Sequence, residues 1–363
     1  MSLEILGMGT AVPVNILPQD VAAKLAADVC CENSREQRAL SVLYRNAGIH
    51  RRNVVLTDVL DPPNGHENFY NHAGEKTRGP GTHARMTRYE NEAPPLAAEA
   101  CRDALANAGR DAAEVTHLII STCSGFSAPG IDLHLVNNLG LPRTVRRLQV
   151  GFMGCHAAMN ALMAADGICA ANANNVVLVC AVELCSLHLQ YGWNPARVMA
   201  NALFGDGAAA IVAACAKEKT RNWNLVGDGS VLFPGTEEDM SWRIGDHGFE
   251  MYLSQRVPDL IEQNLAEWLV GWLSQRSLSV DMIRSWAVHP GGPRILRAVE
   301  AALRLPSDAL QASWDVLREC GNMSSPTTLF ILDRLTSQGA KGPCLMLGFG
   351  PGLAAEVLLF ERG

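Results

Sequence analysis

Gly151-Phe152-Met153-Gly154-Cys155-His156-Ala157-Ala158-Met159-Asn160 joins two stretches of different character. Thr144 to Val150 reads as a strand. Ala157 to Ala173 reads as a helix built of strong helix formers, with apolar residues around its whole circumference. Cys155 therefore sits where a strand becomes a buried helix, and the chain is read as α/β. At such a junction unpaired N–H groups and the positive end of the helix dipole favour thiolate over thiol, and Gly154 leaves the approach open. A buried cysteine without chemistry is the commoner reading of a single thiol, so the partners elsewhere in the chain decide between the two.

The length of 363 residues allows two domains of ordinary size or one large two-lobed fold. With 48% hydrophobic and 18% charged residues the chain can bury a sizeable core. A net charge of -7 and only short Arg-rich stretches give no support to nucleic-acid binding. Eleven cysteines could suggest disulfides, but the chain opens on strand-like Leu3 to Gly9 rather than a signal peptide, so reduced thiols and a cytoplasmic location are expected. No Cys-x-x-Cys pair occurs, and His66-Glu67 with His72 misses the helical spacing of a zinc site, so no metal is expected. No apolar run reaches the roughly 20 residues of a membrane span.

After the first strand, helices are expected from Gln19 to Cys30 and from Ser34 to Ala47. Gly7-Met8-Gly9 begins a dinucleotide fingerprint, but Val12 stands where the third glycine belongs, so it reads as a turn. Asp58 to His83, rich in Gly, Pro, Asn and His, reads as a surface excursion whose three histidines are solvated. A helix from Pro95 to Ala108 and a buried strand from Val115 to Thr122 lead to the loop Cys123 to Gly130, at the strand end where open α/β sheets place ligands. A strand from Asn175 to Val182, a helix from Ala196 to Leu203 and a strand from Ala208 to Cys215 follow.

Lys217-Glu218-Lys219 marks the expected boundary between halves. Beyond it come a helix from Gln255 to Gln275, a strand from Ser285 to His289, two helices and two closing strands. Gly205-Asp206-Gly207-Ala208-Ala209-Ala210-Ile211-Val212 resembles Gly350-Pro351-Gly352-Leu353-Ala354-Ala355-Glu356-Val357, each a glycine turn feeding a strand. A duplicated α/β unit is implied, with chemistry where the halves meet.

Cys155 needs a base and a stabiliser of negative oxygen. His289 ends an apolar strand and is followed by Pro290-Gly291-Gly292-Pro293, whose glycines let a substrate chain pass close to the backbone. Asn322 follows the expected helix Ser307 to Cys320. A backbone-satisfied histidine and a helix-capping asparagine are the plain alternatives. All three lie at element ends, and together they suit carbon–carbon bond formation on thioesters. Cys155, paired with His289, would take an acyl group, while His289 and Asn322 would hold a second thioester's carbonyl oxygen during decarboxylation. Each well-aimed oxyanion donor is worth about 3–4 kcal/mol. No metal or redox cofactor is required.

The Cys155 stretch, Phe204-Gly205-Asp206-Gly207, His289 to Pro293, Gly321-Asn322-Met323-Ser324-Ser325 and Gly348-Phe349-Gly350-Pro351-Gly352-Leu353 together resemble the type III polyketide synthases of the chalcone synthase superfamily. The motifs fall in family order across nearly the whole chain. The resemblance implies a thiolase-type five-layered αβαβα fold of two duplicated halves, residues 1–217 with the nucleophile and 218–363 with the histidine and asparagine. It also implies a homodimer, an acyl-CoA starter and a malonyl-CoA extender, with no cofactor beyond these CoA thioesters. Phe204 would be the gatekeeper between CoA tunnel and cavity. Cys123, Cys185, His188, Met240, Trp242, Met251 and Pro351 would line the pocket, and Ala128 would reach toward the partner subunit.

Plant members carry a second gatekeeper phenylalanine where Met251 stands and a glycine where Trp242 stands. These replacements, with Glu183 to His188 and Ser241 to Met251, are similar to bacterial members that make alkylpyrones or alkylresorcinols, so an aliphatic starter is expected. CoA would run past Gly291, Gly292 and Ser324, with Arg45, His50, Arg51 and Arg52 as cations for its phosphates. A cysteine hydrolase is the reading from another class, but the local signature of papain-like proteases is absent around Cys155. A priming ketoacyl-ACP synthase, with a single condensation onto a carrier protein, is the nearer competitor. Carrier-protein delivery of the starter is also possible.

Overall fold

The computed structural model describes residues 2–56, 69–70, 78–216 and 221–362. Most of the excursion read from Asp58 onward, with His66 and His72, lies outside them, as does the Lys217-Glu218-Lys219 boundary. The first half runs β1 (Leu3–Ala11), β2 (Asn15–Pro18), α1 (Gln19–Cys30), α2 (Ser34–Asn46), β3 (Arg51–Val54) and α3 (Thr82–Ala108). It continues with β4 (His117–Thr122), α4 (Ile131–Leu139), β5 (Arg146–Gly151), α5 (Ala157–Ala171), β6 (Val176–Leu184), α6 (Pro195–Leu203) and β7 (Asp206–Cys215). The second half holds β8 (Asn224–Leu232), β9 (Met240–Gly245), β10 (Gly248–Leu253), α7 (Val257–Ser274) and β11 (Ser285–Val288). It closes with α8 (Pro293–Leu303), α9 (Gln311–Cys320), α10 (Thr327–Ser337), β12 (Cys344–Gly350) and β13 (Ala354–Glu361).

Nine strands join in the order β11-β12-β13-β8-β1-β7-β6-β4-β5. The five from one half and the four from the other do not interleave, and they meet at β1 and β8 through the single pairing Glu4↔Asn224. Read outward from that seam, both sides repeat one pattern. β1–β7 and β7–β6 are antiparallel and β6–β4 parallel, as β8–β13 and β13–β12 are antiparallel and β12–β11 parallel.

Side-chain alternation turns this sheet into layers, because successive residues of a strand face opposite ways. On β6, Val177, Val179 and Ala181 pack with Ala158, Leu162 and Ala165 of α5, while Leu178, Cys180 and Val182 pack with α3. On β12 and β13, Cys344, Met346, Leu358 and Phe360 face the same central layer, where Leu329 and Leu332 of α10 join α5. Leu345, Leu347, Val357 and Leu359 face α7 and α8. The result is a five-layered αβαβα fold with two helices buried between the half-sheets. Strands buried on both faces read as continuous apolar runs, as β6 and β7 do.

Three expectations are corrected. Gly7 and Gly9 form no turn but lie inside β1, where a Cβ would come within 2.3 Å of Ala108 N and of Ala100 O in α3. They let helix and strand approach. The helix expected from Pro95 begins at Thr82 and carries Pro94 and Pro95 in its interior. Arg85, Tyr89 and Ala93, one turn apart and buried, hold its early part against the core, so packing outweighs the lost hydrogen bonds. Three helices, not two, lie between β11 and β12; α10 follows Asn322 directly and supplies the second buried helix.

Candidate active site

Cys155 occupies a single 3-10 turn, Gly154–His156, between β5 and α5. Two left-handed residues, Phe152 at φ 57 and Gly154 at φ 76, swing the chain into it. A Cβ at Gly154 would stand 2.3 Å from Pro351 Cδ, so only glycine lets the nucleophile's turn seat against the β12–β13 turn of the other half. The sulfur is placed at the seam.

Asn322 follows α9 through Gly321, at φ 72. Its main chain bridges Phe204: Asn322 N–H donates to Leu203 O at 2.9 Å, and Gly205 N–H donates to Asn322 O at 3.0 Å. Its Oδ1 accepts from Ser324 N–H at 2.8 Å, which leaves the Nδ2 hydrogens for another partner. The side chains of Ser324 and Asn322 both favour the ionised form of the Cys155 thiol. Ser324, expected along the CoA, lines the cavity around Cys155.

His289 comes from the end of β11, its N–H donating to Leu347 O at 2.8 Å. β11 and β12 are parallel, so His289 stands at the same edge as the Gly350-Pro351 turn on which Gly154 rests. The ring is 1% exposed and neither nitrogen has a partner among the described residues. A buried imidazole with two unused nitrogens leaves both free for a further partner.

Burial pushes the Cys155 thiol up to about 11; the Ser324 and Asn322 bonds oppose this, and Glu183 adds to it. Burial takes His289 down to about 3, with His156 acting in the same sense. Each group alone prefers its uncharged form.

Glu183 was not given a role from sequence, yet it ties the site together. Its Oε2 accepts from Cys123 N–H (2.9 Å), Ser124 N–H (3.0 Å) and Ser124 Oγ (2.6 Å), and its Oε1 from Ser325 Oγ (2.7 Å). One carboxylate thus fixes the loop after β4 to the turn after Asn322. Burial raises its pKa and these four donors pull the other way. An acid at the end of the otherwise apolar β6 was the available signal.

Cys123, Cys185, Phe204, Met240, Trp242, Met251 and Pro351 line a cavity of about 20 Å³ around Cys155. A second cavity, of about 210 Å³, adjoins it and shares Cys185, Phe204, Trp242 and Met251. Leu17, Leu25, Val29, Leu56 and Leu189 give that space an apolar lining. Trp242 stands between the two, its Nε1–H donating to Cys123 O at 2.8 Å. His188 backs it: Nε2 lies 2.7 Å from Ser124 O, Nδ1 accepts from Phe249 N–H at 2.9 Å, and the ring stacks on Phe249 at 4.3 Å. With both nitrogens used, His188 is a neutral wall. Ala128 is exposed at the tip of its loop, outside both cavities of this chain.

Among the expected phosphate ligands, Arg45, His50 and Arg51 are exposed, but Arg52 is not available. It is 3% exposed and donates to Asn201 O and Phe204 O, each at 2.8 Å, and to Gln19 Oε1 at 2.5 Å. Alternation along β3 turns it inward, where it closes the end of α6. Gly291 and Gly292 form the turn before α8, with Gly292 at φ 150.

His188 and His289 are both held at about 3, against an ordinary 6.5, by burial. Below pH 6.5 the unfolded chain binds more protons at these sites than the folded one. Their contribution is therefore complete above pH 6.5 and is lost as pH falls toward 3. Unfolding free energy measured by denaturant titration is expected to drop across this window, and His289→Gln to flatten the slope by up to about 1.4 kcal/mol per pH unit. An unchanged slope would show that His289 is already charged in the fold.

The chain matches the family models for chalcone and stilbene synthases, the N-terminal domain over residues 2–216 and the C-terminal domain over residues 224–362. It is 33% identical over 358 residues to a 1,3,6,8-tetrahydroxynaphthalene synthase of Streptomyces peucetius subsp. caesius, covering 97% of this chain and 91% of the relative. It is 32% identical over 364 residues to an alpha-pyrone synthesis polyketide synthase-like protein of Mycobacterium tuberculosis, covering 98% and 90%. The crystal structure of PKS-I from the brown alga Ectocarpus siliculosus superposes with a TM-score of 0.94 at 30% identity, covering 100% of this chain and 98% of that one. With motifs, layers and relatives in agreement, the chain belongs to the chalcone and stilbene synthase family and is a type III polyketide synthase.

Proposed function

We propose that this enzyme condenses malonyl-CoA repeatedly onto an aliphatic acyl-CoA starter held on Cys155, and that the product cyclises to a pyrone or resorcinol. The observation that carries the reading is the placement of Cys155 and Ser324 in a small cavity that shares four lining residues with a larger apolar one. As Sγ attacks the starter's carbonyl, its proton passes to His289 and on to the departing CoA sulfur. The acyl group remains on Cys155. His289 and the Asn322 amide then hold the thioester oxygen of malonyl-CoA. The bond to its carboxylate breaks, carbon dioxide leaves, and the electron pair becomes an enolate. The enolate carbon attacks the Cys155 thioester, a carbon–carbon bond forms, and the cysteine sulfur departs as thiolate. No metal or redox group enters these steps.

The starter's chain occupies the larger cavity, whose apolar lining suits an alkyl group. The named activity of the mycobacterial relative, alpha-pyrone synthesis, supports the same reading. A homodimer is part of it. β5 is an edge strand with Arg146 to Gln149 exposed, and Phe126, Leu148 and Met153 are exposed beside it at 37%, 44% and 40%. A cytoplasmic location fits CoA substrates, and no helix among the described residues is long and apolar enough to cross a membrane.

Mass spectrometry of products from malonyl-CoA with acyl-CoAs graded from acetyl to palmitoyl tests the reading. Turnover of only aromatic or very short starters would sink it. Trp242→Ala should merge the two cavities and move the preferred starter to longer chains. Trp242→Phe, which keeps most of the bulk and loses the bond to Cys123 O, should broaden the range. Identical product profiles for all three proteins would show that Trp242 is no partition.

A further inference from the structure

One face of α2 is basic and unpartnered. Arg35, Arg38, Val42 and Arg45 recur at three- and four-residue spacing and are all exposed, Val42 at 49%. None of the three arginine side chains makes an ion pair or hydrogen bond among the described residues. The nearest acid in sequence, Glu36, is engaged with Glu32 N–H at 2.8 Å. Arg35 sits in the first turn, where the helix dipole disfavours a cation, so helix stability does not explain it. The opposite face carries Leu40 and Tyr44, both buried, and Tyr44 lines the larger cavity. The stripe therefore covers the outside of a wall whose inside meets the starter's chain.

We propose that this stripe docks an acidic acyl carrier protein that presents its thioester-linked chain to the cavity. The inference rests on the condensing activity proposed above and adds a second way for the starter to arrive. Ten residues of helix separate Arg35 from Arg45, about 15 Å at 1.5 Å per residue. Arg45, His50 and Arg51, at the inner end and exposed, are the cations read as facing the compact phosphates of CoA. Arg35 and Arg38 lie two turns and more beyond, a reach that fits an extended acidic surface. The chain's net charge of -7 gives no general attraction for acidic proteins, so a basic stripe selects where they land. A membrane would ask for apolar anchors, and Val42 is the only one on this face.

The test compares one fatty acyl group delivered as acyl-CoA and as acyl-phosphopantetheinyl carrier protein, in the wild type and in Arg35→Glu/Arg38→Glu. The wild type should use both. The double variant should lose about tenfold or more in kcat/KM for the carrier-bound starter, with acyl-CoA turnover within about twofold, since charges at an interface rim act mainly on encounter. Raising ionic strength on the wild type should reproduce the loss. Arg35→Gln/Arg38→Gln, with a smaller loss in the same direction, excludes misfolding, as does an unchanged melting temperature.

Wild-type use of acyl-CoA but not of the carrier-bound chain overturns the proposal and leaves the condensing activity standing. Equal loss on both substrates would make the stripe a CoA site. Loss of binding to phosphatidylglycerol vesicles with carrier use intact would make it a membrane contact. No condensation with either substrate would instead bring down the activity itself.

Discussion

Cys155→Ala is expected to abolish condensation, by about 10⁴-fold or more, because no other group can hold the growing chain as a thioester. Cys123 and Cys185 line the same cavity but are not expected to substitute. Burial holds each thiol well above its ordinary range, and Glu183 raises both further. For neither do Asn322 and Ser324 favour the thiolate as they do for Cys155. Cys155→Gln should separate the two half-reactions: decarboxylation of malonyl-CoA continues, since it needs only His289 and Asn322, while no product longer than the starter forms. Carbon dioxide release and product mass read the two separately. Loss of both in a protein with normal unfolding behaviour would refute this division of labour.

Asn322→Asp is the second large effect. The shape is kept, and Oδ1 can still accept from Ser324 N–H, so the turn after α9 should hold. The change replaces an N–H donor with a negative oxygen where an enolate must form. A loss of about 10²–10³ in the condensation rate is expected, the scale of removing one oxyanion donor. Malonyl-CoA decarboxylation should fall in parallel, since it passes through the same enolate. A fall in condensation alone would place Asn322 elsewhere in the cycle.

Much of this candidate site is legible in the sequence because its signals are local. A glycine-flanked cysteine between strand and helix, a histidine closing an apolar strand and an asparagine after a helix each leave a mark within ten residues. The repeated glycine turns at Gly205 and Gly350 disclosed the duplication for the same reason. Arg52 shows where such reading fails. Beside Arg51 it resembles a surface cluster, but β3 alternates, and Arg52 shares the inward face with buried Val54. The start of α3 was hidden by Pro94 and Pro95, whose local veto is overruled by tertiary packing. Glu183 had a visible oddity, a carboxylate closing an apolar run, yet its donors come from residues 59 to 142 positions away.

The single pairing of Glu4 with Asn224 bears on how such an enzyme could arise. Expressed apart, each half would display one share of the machinery, a thiol without its amide or an imidazole without its thiol. Joining the two edge to edge is what brings these shares together. A change in either half is then answerable to the geometry of the other.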